Sequence, residues 1–243
     1  MKINCDMGES FGIWKMGSDA QIMPSLDMAN IACGFHASDP LTMTRTVRIA
    51  VEHGVTIGAH PSYPDLVGFG RRDMQVDPQE LRSIVQYQIG ALEAICKAEG
   101  TKVSYVKPHG ALYNKMSVDD GTLRAVYAAI SDYDTSLPLV VMAAPDHQRR
   151  SDIAAEYGLK LLFEAFSDRA YDSHGRLASR TLPGAVYQNN EEIERQVRAI
   201  VERSCVITLD GDEIPVKADT LCIHGDGPKA LETARFIRGL IQP

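Results

Sequence analysis

What most constrains this chain is a regular alternation: short, β-rich apolar runs separated by longer segments whose apolar residues recur at helical spacing. The runs are Lys2–Cys5, Met28–Cys33, Val55–Ala59, Val103–Lys107, Leu137–Ala143, Lys160–Glu164 and Thr220–His224, each too short for a helix. Strands that recur singly between helices build a parallel sheet, because a parallel neighbour is reached only through a crossover connection. Leu41–His53 reads as an amphipathic helix stopped by Gly54, and Pro78–Glu99 as the longest helix. The latter opens on Asp77-Pro78, a capping residue followed by proline at the first helical position, and gathers Leu81, Val85, Ile89 and Leu92 on one face. Asp119–Ser131, Asp146–Tyr157, Glu191–Arg203 and Pro228–Ile241 complete the helical set. Without linker, repeat or compositional break, the units predict one domain over residues 1–243, a seven-stranded (β/α) barrel; an open doubly wound sheet is the alternative that periodicity does not separate.

Two stretches depart from the alternation. Val206–Leu209 and Ile214–Val216, turned by Asp210-Gly211, predict a small β-hairpin excursion before the last strand. Ser167–Asn190 has little periodicity and reads as a long active-site loop.

Composition removes several function classes. Twenty-five basic against 32 acidic side chains give a net charge of −7, which argues against a nucleic-acid or anionic-membrane partner. The longest apolar run, Leu139–Ala144, is far below the ~18 residues of a membrane span. The N-terminal segment lacks the apolar core of a secretory signal, so a cytoplasmic location is expected. Five cysteines without CxxC spacing read as reduced thiols packed in the core. The P-loop, the dinucleotide fingerprint and the GxSxG elbow are all absent from the sequence. The turn Gly225–Pro228 could point backbone N–H groups at an anion, a weak signal by itself.

Polar residues gather where the strands end, and in a parallel barrel those ends open onto one mouth. The first strand yields Asn4 and Asp6, then Glu9; the second runs into His36; the third ends at His60. The fourth carries Lys107 and His109, the sixth Glu164 and then Arg169, the seventh His224 and Asp226. A lone histidine after a strand is ordinarily a turn residue, but four of seven histidines at separate strand ends form a pattern. Such a set suits general acid–base work or a hard or borderline metal. His53, His147 and His174 read as structural. Strand alternation puts Lys107 on the side of His109, hence inside the barrel beneath it, where its ammonium needs Asp6 or Glu164 as partner.

The strings NCDMGESFG (4–12), ANIACGFHASDP (29–40), GVTIGAHPSYPD (54–65), GFGRRDM (68–74), YQIGAL (87–92), VKPHGALYN (106–114), EAFSDRAY (164–171) and CIHGDG (222–227) resemble the family of the 5-oxoprolinase A component, also called LamB/YcsF. The resemblance spans the chain. It implies a barrel similar to the glycoside hydrolase and deacetylase barrels, and the ATP-dependent opening of 5-oxo-L-proline to L-glutamate together with companion subunits B and C. On that basis Asp6 and Glu9 are expected to direct the water, either directly or through a divalent metal such as Mg2+ whose ligands the sequence leaves open. His60 and His109 are expected to move protons, and Lys107 and Arg169 to stabilise charge. Asn4, His36, Asn114, Glu164, His224 and Asp226 are expected, with Arg169, to contact the substrate. Lys107→Met is expected to remove coupled activity and leave the fold intact. The family usually has glycine where this chain has Ser38, which adds a side chain near His36. Two readings of another class remain: a stand-alone metal-dependent deacetylase or amidohydrolase, and a non-catalytic substrate-binding subunit.

Overall fold

The computed structural model describes residues 1–187, 189–223 and 230–241. Seven parallel strands close into a barrel: β1 (Lys2–Met7), β2 (Met28–Ala32), β3 (Thr56–His60), β4 (Tyr105–Val106), β5 (Leu139–Met142), β6 (Leu161–Phe166) and β9 (Thr220–Ile223). β1 pairs with β2 on one side and β9 on the other, so the sheet has no free edge. The remaining strands, β7 (Cys205–Ile207) and β8 (Glu213–Pro215), form the antiparallel hairpin before the last barrel strand, turned at Gly211 (φ 89°). Closure settles the barrel against the open sheet. No helix among the described residues is long and apolar enough to cross a membrane.

Helices start where the sequence supplies caps. Asp39 accepts from the amides of Leu41 and Thr42 to open α2 (Pro40–Glu52), and Asp77 accepts from Gln79 and Glu80 to open α3 (Pro78–Ala98). α5 (Asp120–Tyr133), α6 (His147–Glu156), α7 (Asn190–Arg203) and α8 (Ala230–Ile241) lie within two residues of the sequence reading. The N-terminal turn of the last expected helix, 228–229, lies outside the described residues. Two short helices carried no sequence signal: α1 (Asp19–Ile22) and α4 (Gly110–Met116).

Odd and even positions divide the barrel's labour. Ile3, Cys5, Ala29, Ile31, Ile57, Ala59 and Val106 belong to the main apolar core shared with the helices. The alternate positions face the axis and form layers, as a barrel interior requires. Met28, Tyr105 and Val140, with Leu162 against them, make an apolar plug. Above it Asn4 donates to Thr220 Oγ1 at 3.0 Å, and Asn30 donates to Asn4 Oδ1 and Asp6 Oδ1, both at 2.8 Å. Tyr105 donates its hydroxyl to Asn30 Oδ1 at 2.7 Å. Each of these buried amides therefore has partners, which is the condition for a polar layer inside a barrel.

Ser38 is fully buried with φ at 73°, a left-handed backbone that favours glycine. Ser38→Gly is therefore expected to stabilise the chain by about 1 kcal/mol, the approximate cost of holding an L-residue there. Urea unfolding checks this; a loss of stability would mean that the serine hydroxyl, 3.4 Å from the Asp39 carbonyl, outweighs the backbone term.

Candidate active site

The carboxyl ends of the strands surround a cavity of about 460 Å3. Asp6, Glu9, His60, Lys107, His109, Asn114 and Arg169 line it. Asn4, His36 and Glu164 do not: all three are fully buried behind its wall. The sequence reading expects substrate contact from them; in the structure they touch residues that line the cavity. Asn4 and Glu164 touch Lys107, and His36 stacks on His109 with ring centroids 3.8 Å apart. His224 and Asp226 lie outside the described residues.

Lys107 follows β4 in an extended segment and points inward. Its Nζ lies 2.9 Å from Asp6 Oδ1 and 2.9 Å from Glu164 Oε1, with 2% of the residue exposed. Glu164 is held in turn by the Tyr113 hydroxyl at 2.9 Å, delivered by the unforeseen helix α4. Burial alone would strip the ammonium of its proton; Asp6, Cys222 and Glu164 outweigh it and raise the lysine well above its ordinary value. Burial likewise opposes ionisation of Asp6, but the charges of His60 and Lys107 hold it well below the usual carboxylate range. All five cysteines are free and buried, as the sequence reading expects, and Cys222 Sγ lies 3.3 Å from the Lys107 ammonium.

Next to this triad stand three imidazoles and a carboxylate. His60 Nε2 is 3.3 Å from Asp6 Oδ2 and 3.0 Å from His109 Nδ1. Glu9 Oε1 is 3.5 Å from His36 Nε2 and 3.7 Å from His109 Nδ1. One donor atom from each of Glu9, His36, His60 and His109 lies within 4.8 Å of all the others.

The rim is basic although the chain is acidic. Arg71, Arg169, Arg176 and Arg180 line the cavity, giving its mouth a local charge opposite in sign to the net −7 and suited to an anionic ligand. Arg71, Arg176 and Arg180 were not singled out from sequence, because loops carry no period. Arg169 is largely committed: its Nε and Nη2 donate to the carbonyls of Ala185 and Ala178 at 3.2 and 2.5 Å, tying down the 167–190 loop, and burial lowers it to about 10.

A family model described as LamB/YcsF matches residues 1–243. The chain belongs to the LamB/YcsF family. A Pseudomonas fluorescens protein named as the A component of 5-oxoprolinase is 55% identical over 97% of this chain and 94% of its own length. A Vibrio cholerae protein of the same name is 52% identical over 99% and 97%. The crystal structure of a lactam utilization protein from Thermus thermophilus superposes with a TM-score of 0.91 at 46% identity, covering 100% of this chain and 96% of that one. Beyond LamB/YcsF, a putative cellobiose-phosphate cleavage protein from Enterococcus faecalis shares the fold alone, with a TM-score of 0.58 at 13% identity over 98% of this chain and 89% of that one.

Proposed function

We propose that this barrel is the A component of an ATP-dependent 5-oxoprolinase, opening the lactam of 5-oxo-L-proline to L-glutamate together with companion subunits B and C. The observation that carries this reading is near full-length identity of 55% to a protein named as that component. The cavity's chemistry agrees with it. A five-membered lactam is a resonance-stabilised amide whose ring re-closes readily; phosphorylating the amide oxygen with ATP opens its carbon to water, the C–N bond breaks with the nitrogen leaving as the amine, and a second water releases phosphate from the resulting acyl phosphate. Substrate carboxylate and phosphoryl oxygens are anionic, and the rim offers Arg71, Arg176 and Arg180 to receive them. Lys107 supplies positive charge at the floor, held in place by Asp6 and Glu164. Asp6, its second oxygen turned toward His60, orients the attacking water. A divalent ion on Glu9, His36, His60 and His109 would supply Lewis acidity and a nucleophile at neutral pH. The sequence carries no P-loop, so it does not say which subunit holds ATP.

One observation favours a second reading: the donor cluster itself, which is what a stand-alone metal-dependent amidohydrolase requires. Glutamate release from 5-oxoproline separates the two. The 5-oxoprolinase reading expects little or no release by the chain alone and ATP-dependent release once subunits B and C are added. Robust ATP-independent release by the chain alone would overturn it in favour of the hydrolase.

A further inference from the structure

We infer that Glu9, His36, His60 and His109 form a binding site for one divalent transition-metal ion of the zinc class, and not for Mg2+. The inference deepens the proposed function, which puts a divalent ion on these residues, and it is argued from the geometry of the cluster.

The hydrogen bonds fix which ring nitrogens are bare. His60 Nδ1 lies 2.6 Å from the Lys107 carbonyl oxygen, and His109 Nε2 lies 2.9 Å from the Phe69 carbonyl oxygen. A carbonyl oxygen only accepts, so each of these nitrogens carries the hydrogen, and in a neutral ring the other nitrogen presents a lone pair. Those other nitrogens, His60 Nε2 and His109 Nδ1, face each other at 3.0 Å. Two acceptors at that distance repel unless something positive sits between them. A proton on His60 Nε2, beside Asp6, would also answer this pair by donating to His109 Nδ1, but it supplies nothing to His36.

His36 carries the argument further. It is fully buried, and among the described residues neither of its ring nitrogens has a hydrogen-bond partner. Buried polar atoms are ordinarily satisfied, so two orphans on one ring call for a ligand. Its Nε2 stands 3.5 Å from Glu9 Oε1, which in turn stands 3.7 Å from His109 Nδ1. Donors on a tetrahedral ion with bonds of about 2.0–2.1 Å are spaced about 3.3 Å apart, so these separations need only small adjustments.

The support around the cluster is of the kind metal ligands need. The Lys107 and Phe69 carbonyls orient the two rings, as partners to metal-bound histidines do. Phe69 delivers its carbonyl with φ at 54°, and the Gly70 that follows leaves no room for a side chain: a Cβ there would lie 2.8 Å from both His36 Cβ and His109 Cδ2. Three imidazoles and one carboxylate suit a borderline ion, whereas Mg2+ takes oxygen ligands. Asp6, the other nearby carboxylate, already accepts from Lys107 and Asn30 through Oδ1.

Co2+ alone, titrated into the chelator-stripped full chain, tests the site. The expected result is a visible ligand-field band that saturates at about one equivalent and persists in excess Mg2+. Glu9→Gln, a change at a side chain that is not fully buried, is expected to weaken Co2+ binding by at least about tenfold. His147→Gln, at a histidine outside the cluster, is expected to leave binding unchanged. No band with the wild-type chain, displacement by Mg2+, or undiminished binding by Glu9→Gln would each overturn the assignment. So would an equal loss in both variants.

Discussion

Lys107→Met is expected to cost the chain about 3–5 kcal/mol at neutral pH and to abolish turnover in the assembled enzyme. The reason lies in what remains. Asp6 Oδ1 and Glu164 Oε1 each lie 2.9 Å from the ammonium, and removing it leaves the fully buried Glu164 unpaired beside Asp6 on the cavity wall. Breaking a buried pair from one side is costly because the surviving charge has no solvent, whereas replacing both sides can be neutral. The sequence reading expects an intact fold from this change; with two acids on the ammonium, a loss of stability is expected beside the loss of activity.

The pH dependence has a definite sign. In the wild type, the Asp6 carboxyl is held below its ordinary value, so its contribution is present above the unfolded value of about 4 and is lost as pH falls through the folded one. In the variant, unpaired burial raises the acids, so protonating them relieves the structure. Between pH 7 and 5 the gap narrows through the variant alone; below about pH 4 the wild type loses its own contribution as well. Urea unfolding of both chains at pH 7 and pH 5, after chelator treatment, checks this. A deficit that widens at pH 5, or a variant as stable as wild type at pH 7, would show that the triad is not an energetic unit. Lys107→Met with Glu164→Gln should recover part of the loss, because one buried charge is then removed while the Tyr113 hydroxyl keeps a partner.

Strand periodicity made this region legible. Period two put Asn4 with Asp6, and Lys107 with His109, on the axis side of their strands, and the structure places them so. The extent of the strands was less readable: Val103–Lys107 looks like a five-residue strand, but only Tyr105 and Val106 carry ladder partners. Apolar character reports burial, and Val103 is buried without a ladder partner. Helix α4 escaped notice because seven residues, GALYNKM, give less than two turns of pattern. It nevertheless brings Tyr113 to Glu164 and Asn114 to the cavity. The Phe69 carbonyl that orients His109 has no sequence signal at all, since every residue carries a carbonyl and only the fold decides which one points inward.

The sequence is equally silent on how tightly the layer below the site is packed, and Gly58 shows it. In sequence Gly58 is one small residue in an apolar run; in the barrel it faces the axis two residues before His60. A Cβ on Gly58 would overlap Cε2 and Cζ of Tyr105. The ring has little freedom to withdraw, because Met28 and Val140 pack with it in the plug and its hydroxyl is bound to Asn30 at 2.7 Å. Asn30 also donates to Asp6, so displacing the ring displaces the carboxylate that holds Lys107. Gly58→Ala is therefore expected to cost about 3 kcal/mol, at the upper end for overpacking a core by one methyl group. It should also lower turnover in the assembled enzyme, although no reacting group has been changed. Tyr105→Phe, which removes the hydroxyl and keeps the ring, should not rescue Gly58→Ala, whereas Tyr105→Val, which removes the ring, should recover part of the lost stability. Wild-type stability in Gly58→Ala, or equal rescue by Phe and Val, would mean that the Tyr105 ring does not lie over Gly58. Confirmation would locate the coupling in that ring, the one rigid object between the apolar plug and the acid that positions Lys107.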